Sequence, residues 1–319
     1  MAGYSTGGQN ISGQFGMPLF GIQGSLPPFT GNYFWVDGTN GSDGNTGGPQ
    51  DPFKTLTQAQ NACLAGNNDV VFFNGTFSPS ATLVWSKNNT HLIGLDADGP
   101  YPVPSIAVAS TTATAGAFSP LVSVTATGCI FQNFSVVSGI NQAATQVAWA
   151  EAGGQNSYIN VNFNQVGNAT AAAQAGCRAL TLASTNNFFQ NCVIGGDAVI
   201  RATGTNFSVE LLGGAGSTVF RGCVFPMYTS VAANTFVTTT ATTLSGYFMF
   251  DGCLFVNDTN NTSGTAVTVA ITAAAASKSV VVLMPNTITV GATAICVAGA
   301  TFISTAAPAT GGNKAITGP

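Results

Sequence analysis

Asp197 lies five residues after Cys192, Asp258 lies five after Cys253, and Tyr228 takes the matching place after Cys223. If the three cysteines share one position of a stacked repeat, the carboxylates sit two rungs apart, roughly 10 Å at about 4.8 Å per rung. That is near the long end of the range for inverting glycoside hydrolysis, in which one carboxyl group protonates the leaving oxygen and the other activates a water. Arg201 and Arg221 fall nearby in the chain. The plainer reading makes both aspartates turn residues, because Asp accepts hydrogen bonds from its own turn backbone. The sequence favours that reading.

A second candidate is the Gly-rich run holding Asp37, Asp43 and Asn45. It has the flavour of a calcium loop, but an EF-hand needs a bidentate Glu at its twelfth place. Counted from Asp37, that place is Gly48. Turn chemistry explains the three residues, so no metal and no cofactor are expected. The seven cysteines include no Cys-x-x-Cys, and His91 is the one histidine. Zinc is therefore disfavoured, and the cysteines read as small buried side chains. Trp35, Trp85 and Trp149 could form sugar-stacking platforms, but a chain with 22 Phe uses most of its aromatics as core.

The elements that must position these residues show as a repeat. Alternating apolar runs recur at 130–136, 159–166, 188–194, 219–225 and 248–256, about thirty residues apart. Anchored on Phe134, Phe163, Cys192, Cys223 and Cys253, they predict a ladder of inward side chains. A period of this length marks a solenoid, in which each unit buries its inner face only by stacking on its neighbours. Asn133 and Asn191 precede ladder residues at equivalent turns and could form an amide ladder, since Asn tolerates left-handed dihedrals.

Four regions follow. Residues 1–32, rich in Gly, Gln and Pro, lack any period and read as an extended docking arm carrying Phe15, Phe20 and Phe29. Residues 33–66 hold a strand, a turn-rich run and a short helix with Asp51 as N-cap, Pro52 at its first position, and Phe53, Leu56, Ala59 and Cys63 on one face. Such a helix would cover the open end of the first coil. Residues 67–260 are the solenoid, and 261–319 are a β-rich tail, read as a last coil, a cap or a trimerisation element.

Composition narrows the function. Of 319 residues, 45 % are apolar and only 6 % charged, against about 25 % in ordinary soluble domains. Disorder is excluded. The seven Lys and Arg are scattered and the net charge is −4, so neither nucleic acid nor an anionic membrane is an expected partner. Residues 1–20 have no Lys, no Arg and no apolar core of the kind a secretory signal carries. The uncharged flanks point to self-association, with a homotrimer expected.

The run Phe34-Trp35-Val36-Asp37-Gly38-Thr39-Asn40-Gly41-Ser42-Asp43-Gly44-Asn45-Thr46-Gly47, with Pro52-Phe53-Lys54-Thr55-Leu56 and Ala59, resembles the opening of pectin-lyase-like proteins. The resemblance implies an all-β, right-handed parallel β-helix with a capping helix at its start. That superfamily includes polysaccharide lyases and hydrolases, surface proteins, phage tailspikes and capsid-attached proteins, so fold alone does not choose a function. The enzymes' motifs are not matched. No acidic cluster of the pectate-lyase type is present, and no Asp-Asp, Gly-His or Arg-x-Lys of the polygalacturonase-type hydrolases occurs. What remains looks most like a bacteriophage virion component. The expectation is a non-enzymatic head decoration or head-fibre protein, made in the host cytoplasm and attached through its arm to the major capsid protein or another virion protein. The alternative is a tailspike-type protein that binds or cleaves a host surface glycan.

Overall fold

The computed structural model describes residues 31–95, 104–108, 118–164, 167–202, 206–239, 244, 246–259, 263–272, 280–284, 286–296 and 301–304. Phe15, Phe20 and Phe29 of the expected arm lie outside the described residues. Among the described residues, strands wind into two sheets, one of 17 strands and one of eight, and neighbouring strands in each run parallel. The result is a right-handed parallel β-helix. Among the described residues two short helices interrupt it, α1 (Leu56–Ala62) and α2 (Ala169–Ala172).

Stacking is held by register. On one wall Leu92, Phe131, Tyr158, Phe189, Phe220, Phe250 and Leu283 occupy a single column. From Phe131 to Phe250 the successive rings lie face to face, with centroids 5.0, 4.6, 4.8 and 5.0 Å apart. The opposite wall stacks Val122, Trp149, Leu180, Val209, Val237 and Ile271, all buried.

The expected ladder needs one correction. Phe134 pairs with Val161, not Phe163, and the column runs Phe134, Val161, Cys192, Cys223, Cys253. Phe163 stands two residues on, between Val136 and Ile194. With a side-chain period of two, both positions face inward, so a slip of two leaves the apolar pattern intact.

A corner residue separates the two columns of this wall. Asn133, Asn160, Asn191, Gly222 and Gly252 all adopt left-handed φ between 53° and 62°. This breaks the alternation once and lets side chains on both flanks point inward. Asn160 joins the expected pair at this corner and donates from Nδ2 to Asn133 Oδ1 over 2.9 Å. Two further amide ladders, not expected from the chain's pattern, are buried. Asn156 Oδ1 accepts from the Cys129 N–H and Asn187 Oδ1 from the Asn156 N–H. Asn206 Oδ1 accepts from the Cys177 N–H and Asn234 Oδ1 from the Asn206 N–H.

The start of the rod differs locally from expectation. Helix α1 begins later than Asp51, with Thr55 as N-cap accepting from the Gln58 N–H. Asp51 instead accepts from the Thr46 N–H and hydroxyl. Phe53, Leu56, Ala59 and Cys63 are buried as the helical face predicted. Lys87 Nζ closes the other end, donating to the carbonyls of Asn61 and Cys63 at 2.6 Å. The solenoid also continues past residue 260. Val267–Thr272 pairs with Ala292–Cys296, and Val280–Leu283 with Thr301–Ser304, so the tail adds coils.

His91 sits inside the stack, accepting the Ile130 N–H on Nδ1, and burial lowers its pKa from 6.5 to about 4. The unfolded chain therefore takes up a proton near pH 6.5 that the folded chain refuses until about pH 4. Stability falls as pH drops through that window, by about 3 kcal/mol from this group. In urea unfolding across that range, His91→Asn, which keeps an acceptor, should show a shallower acid loss than the wild type. Equal slopes would contradict this placement of His91.

Candidate functional site

The stacked register aligns the residues that immediately precede the predicted carboxylates. Gly196 pairs with Met227, and Met227 with Asn257, so Asp197, Tyr228 and Asp258 each follow an aligned residue on three successive coils. Asp197 and Asp258 are exposed and Tyr228 is half-buried between them. The Asp258 N–H is anchored on the Met227 carbonyl at 2.8 Å. The strand Gly196–Arg201 bulges here: Gly196 pairs with Met227, yet Arg201 already pairs with Thr229. Four residues, 197–200, thus stand against Tyr228 alone, a bulge of the kind that re-aims side chains next to binding sites. One aromatic face flanked by two carboxylates can stack on a sugar ring and accept its hydroxyls.

Neither arginine joins them. The Arg201 side chain is buried, its Nη1 and Nη2 have no hydrogen-bond partner among the described residues, and desolvation lowers its pKa to about 9. Arg221 lies on another part of the coil, with Nε 3.0 Å from Asp251 Oδ2 and its guanidinium over Phe188. The bulge explains the first of these. It turns the end of its strand back into the wall, which sequence distance alone does not reveal.

The calcium-type residues serve the cap. Asp37 accepts from the Thr39 and Asn40 N–H groups and from Asn40 Nδ2. Its carboxyl pKa is lowered, chiefly by the Asn40 backbone and side-chain bonds. Asp43 accepts from the N–H groups of Lys54 and Thr55 and from the Thr55 hydroxyl. Asn45 Nδ2 donates to the Pro52 carbonyl at 2.9 Å. Among the described residues no group of three or more His, Cys, Asp or Glu could hold a metal. Trp85 and Trp149 are core residues, 1 % and 0 % exposed, so neither is a sugar platform. Trp35 packs against Phe72 with ring centroids 5.4 Å apart.

Sequence reasoning missed a buried polar cluster. Glu151 Oε1 accepts from the Gly153 and Gly154 N–H groups at 2.8 Å and from the Ser184 hydroxyl at 3.1 Å. Glu151 also accepts from Asn156 Nδ2 and from the Tyr158 hydroxyl, which is in turn reached by Trp149 Nε1. Burial raises the carboxyl pKa despite these bonds. Enclosed by the stack, the cluster fixes a turn and cannot meet a polymer. The sequence signal was a Glu ending an apolar strand of a charge-poor chain.

No family model matches the chain, and no curated protein matches it. Solved structures do share its fold. A rhamnogalacturonan lyase superposes with a TM-score of 0.54 at 12 % identity, covering 85 % of this chain and 75 % of that one. A pectin methylesterase crystallised with a hexasaccharide gives 0.53 at 14 %, covering 90 % and 93 %. The pectate lyase Pel9A gives 0.53 at 12 %, covering 89 % and 80 %. The fold these structures share with the chain is therefore the parallel β-helix. The expectation of a non-enzymatic chain is corrected, because the solved neighbours of this fold are enzymes.

If Asp43 is a cap residue, Asp43→Ala removes three bonds that hold the start of α1. The thermal midpoint should fall by roughly 2–4 °C. Calcium should move neither protein. A calcium-dependent rise in the wild-type midpoint would make the loop a metal site.

Proposed function

We propose that this chain is a polysaccharide-acting β-helix of tailspike type, holding a surface glycan across the Asp197–Tyr228–Asp258 lane and hydrolysing it. The observation that carries the reading is the alignment of Gly196, Met227 and Asn257 on three successive coils, which sets exposed Asp197, half-buried Tyr228 and exposed Asp258 each one residue beyond an aligned position, with Asp197 opening a bulge. At about 4.8 Å per rung the backbones that carry the two carboxylates are roughly 10 Å apart. This leaves room for a water as well as the scissile bond, and suits inversion over retention, which needs about 5 Å. In the proposed reaction one carboxyl group gives its proton to the glycosidic oxygen. The other, as carboxylate, takes a proton from the attacking water, so the new hydroxyl forms on the opposite face. Which Asp plays which part follows from the direction in which the glycan lies. The shared fold with carbohydrate-acting enzymes supports the reading at the level of fold alone.

Docking on a virus particle through residues 1–32 belongs to this proposal and is supported by composition only. In that arrangement the rod projects outward and the lane faces the host.

Asp197→Asn and Asp258→Asn should each cut release of reducing ends from a cleavable surface polysaccharide by at least about a hundredfold, the usual worth of an acid or base. Both variants should keep the wild-type thermal midpoint. Undiminished cleavage in either variant would remove the lane as the reaction site.

A further inference from the structure

We infer that the glycan taken by this lane carries no acidic groups. This rests on the lane reading and adds to it the chemical class of the substrate. Recognition of a uronate or sulfated polymer needs cations that face the ligand, because each buried or half-buried acidic group must find a counter-charge. The chain has seven Lys and Arg in all. Of those in the described residues, Lys87 is spent on the carbonyls that end α1, and Arg178 pairs with Glu210 at 2.6 Å. Arg221 pairs with Asp251, and Arg201 is turned into the interior. Lys54 is exposed but lies in the cap at the start of the rod, where its backbone N–H donates to Asp43 Oδ1, away from the coils of the lane. Lys278 and Lys314 lie outside the described residues.

The lane presents the opposite charge. Two exposed carboxylates flank Tyr228, within a chain of net charge −4. An acidic sugar seated on the ring would bring its carboxylate or sulfate beside Asp197 or Asp258. Like charges at that range disfavour the complex. Hydroxyl groups have the reverse relation, because a carboxylate accepting from two sugar hydroxyls makes charge-assisted bonds of the stronger kind. The pairing of aromatic face and flanking acceptors therefore fits a polymer of uncharged sugars.

The test is calorimetric titration of the full chain with uncharged polymers (galactan, mannan, dextran) and acidic ones (polygalacturonate, dextran sulfate). The Tyr228→Ala variant is titrated alongside. Expected are binding to at least one uncharged polymer, affinity that changes little between low and high salt, and at least about tenfold weaker binding to every acidic polymer. Tyr228→Ala should abolish the binding. The double variant Asp197→Lys with Asp258→Lys should gain affinity for polygalacturonate. Wild-type binding to an acidic polymer that Tyr228→Ala abolishes would overturn the charge inference and leave the lane standing. Binding to an uncharged polymer that Tyr228→Ala leaves intact would overturn the lane, and so would binding to none of them.

Discussion

Everything in this molecule depends on one constraint: each coil must sit in register on the next. Backbone hydrogen bonds between parallel strands fix the rung spacing at about 4.8 Å. A column of inward side chains then has to accept whatever its neighbours above and below provide. The aromatic column from Phe131 to Phe250 meets that demand with rings stacked nearly flat. The left-handed corner at Asn133, Asn160, Asn191, Gly222 and Gly252 keeps the walls in phase. At Gly222 a side chain would press on the neighbouring rung, since a Cβ there lies 2.7 Å from Asn191 Oδ1. Register also sets the candidate site, because it converts three residues spread over sixty positions of sequence into one lane.

Scarcity of charge is the second organising fact. With 6 % charged residues, many of the ionisable groups among the described residues have a structural task that can be named. Asp37, Asp43 and Asp51 tie the turn-rich cap, and Asp69 accepts the N–H groups of Asn32 and Leu64. Glu151 holds a turn from inside the stack. Asp197 and Asp258 are the exposed carboxylates that follow aligned residues on coils two apart. On a heavily charged surface the same pair would carry little meaning.

Much of this was legible in the chain. The thirty-residue recurrence gave the solenoid, and the opening around Asp37 and Phe53 gave its cap and superfamily likeness. The common offset behind the three cysteines placed Asp197, Tyr228 and Asp258 each just after an aligned residue, although the bulge at Asp197 was not legible. Register within a wall was less legible: Phe134 and Phe163 look equivalent because positions two apart share a face. The helix start was misplaced because Asp-Pro is a good opening pair in isolation, whereas here Asp51 is drawn to Thr46 and Thr55 caps instead. Nothing local to Arg201 announces its burial, which depends on a bulge opposite Thr229. The buried amide ladders were equally hidden, because Asn156 and Asn206 look like surface turn residues until the coils close over them.

The account reduces to the claim that Asp197 and Asp258 are one glycan-facing pair. Carbodiimide labelling of exposed carboxylates, read by mass spectrometry with and without a bound polysaccharide, addresses it most directly. Both aspartates should react in the free chain and be shielded together when the polymer binds, while carboxylates of the cap keep their reactivity. Shielding of the cap alone, or of one aspartate without the other, would contradict it.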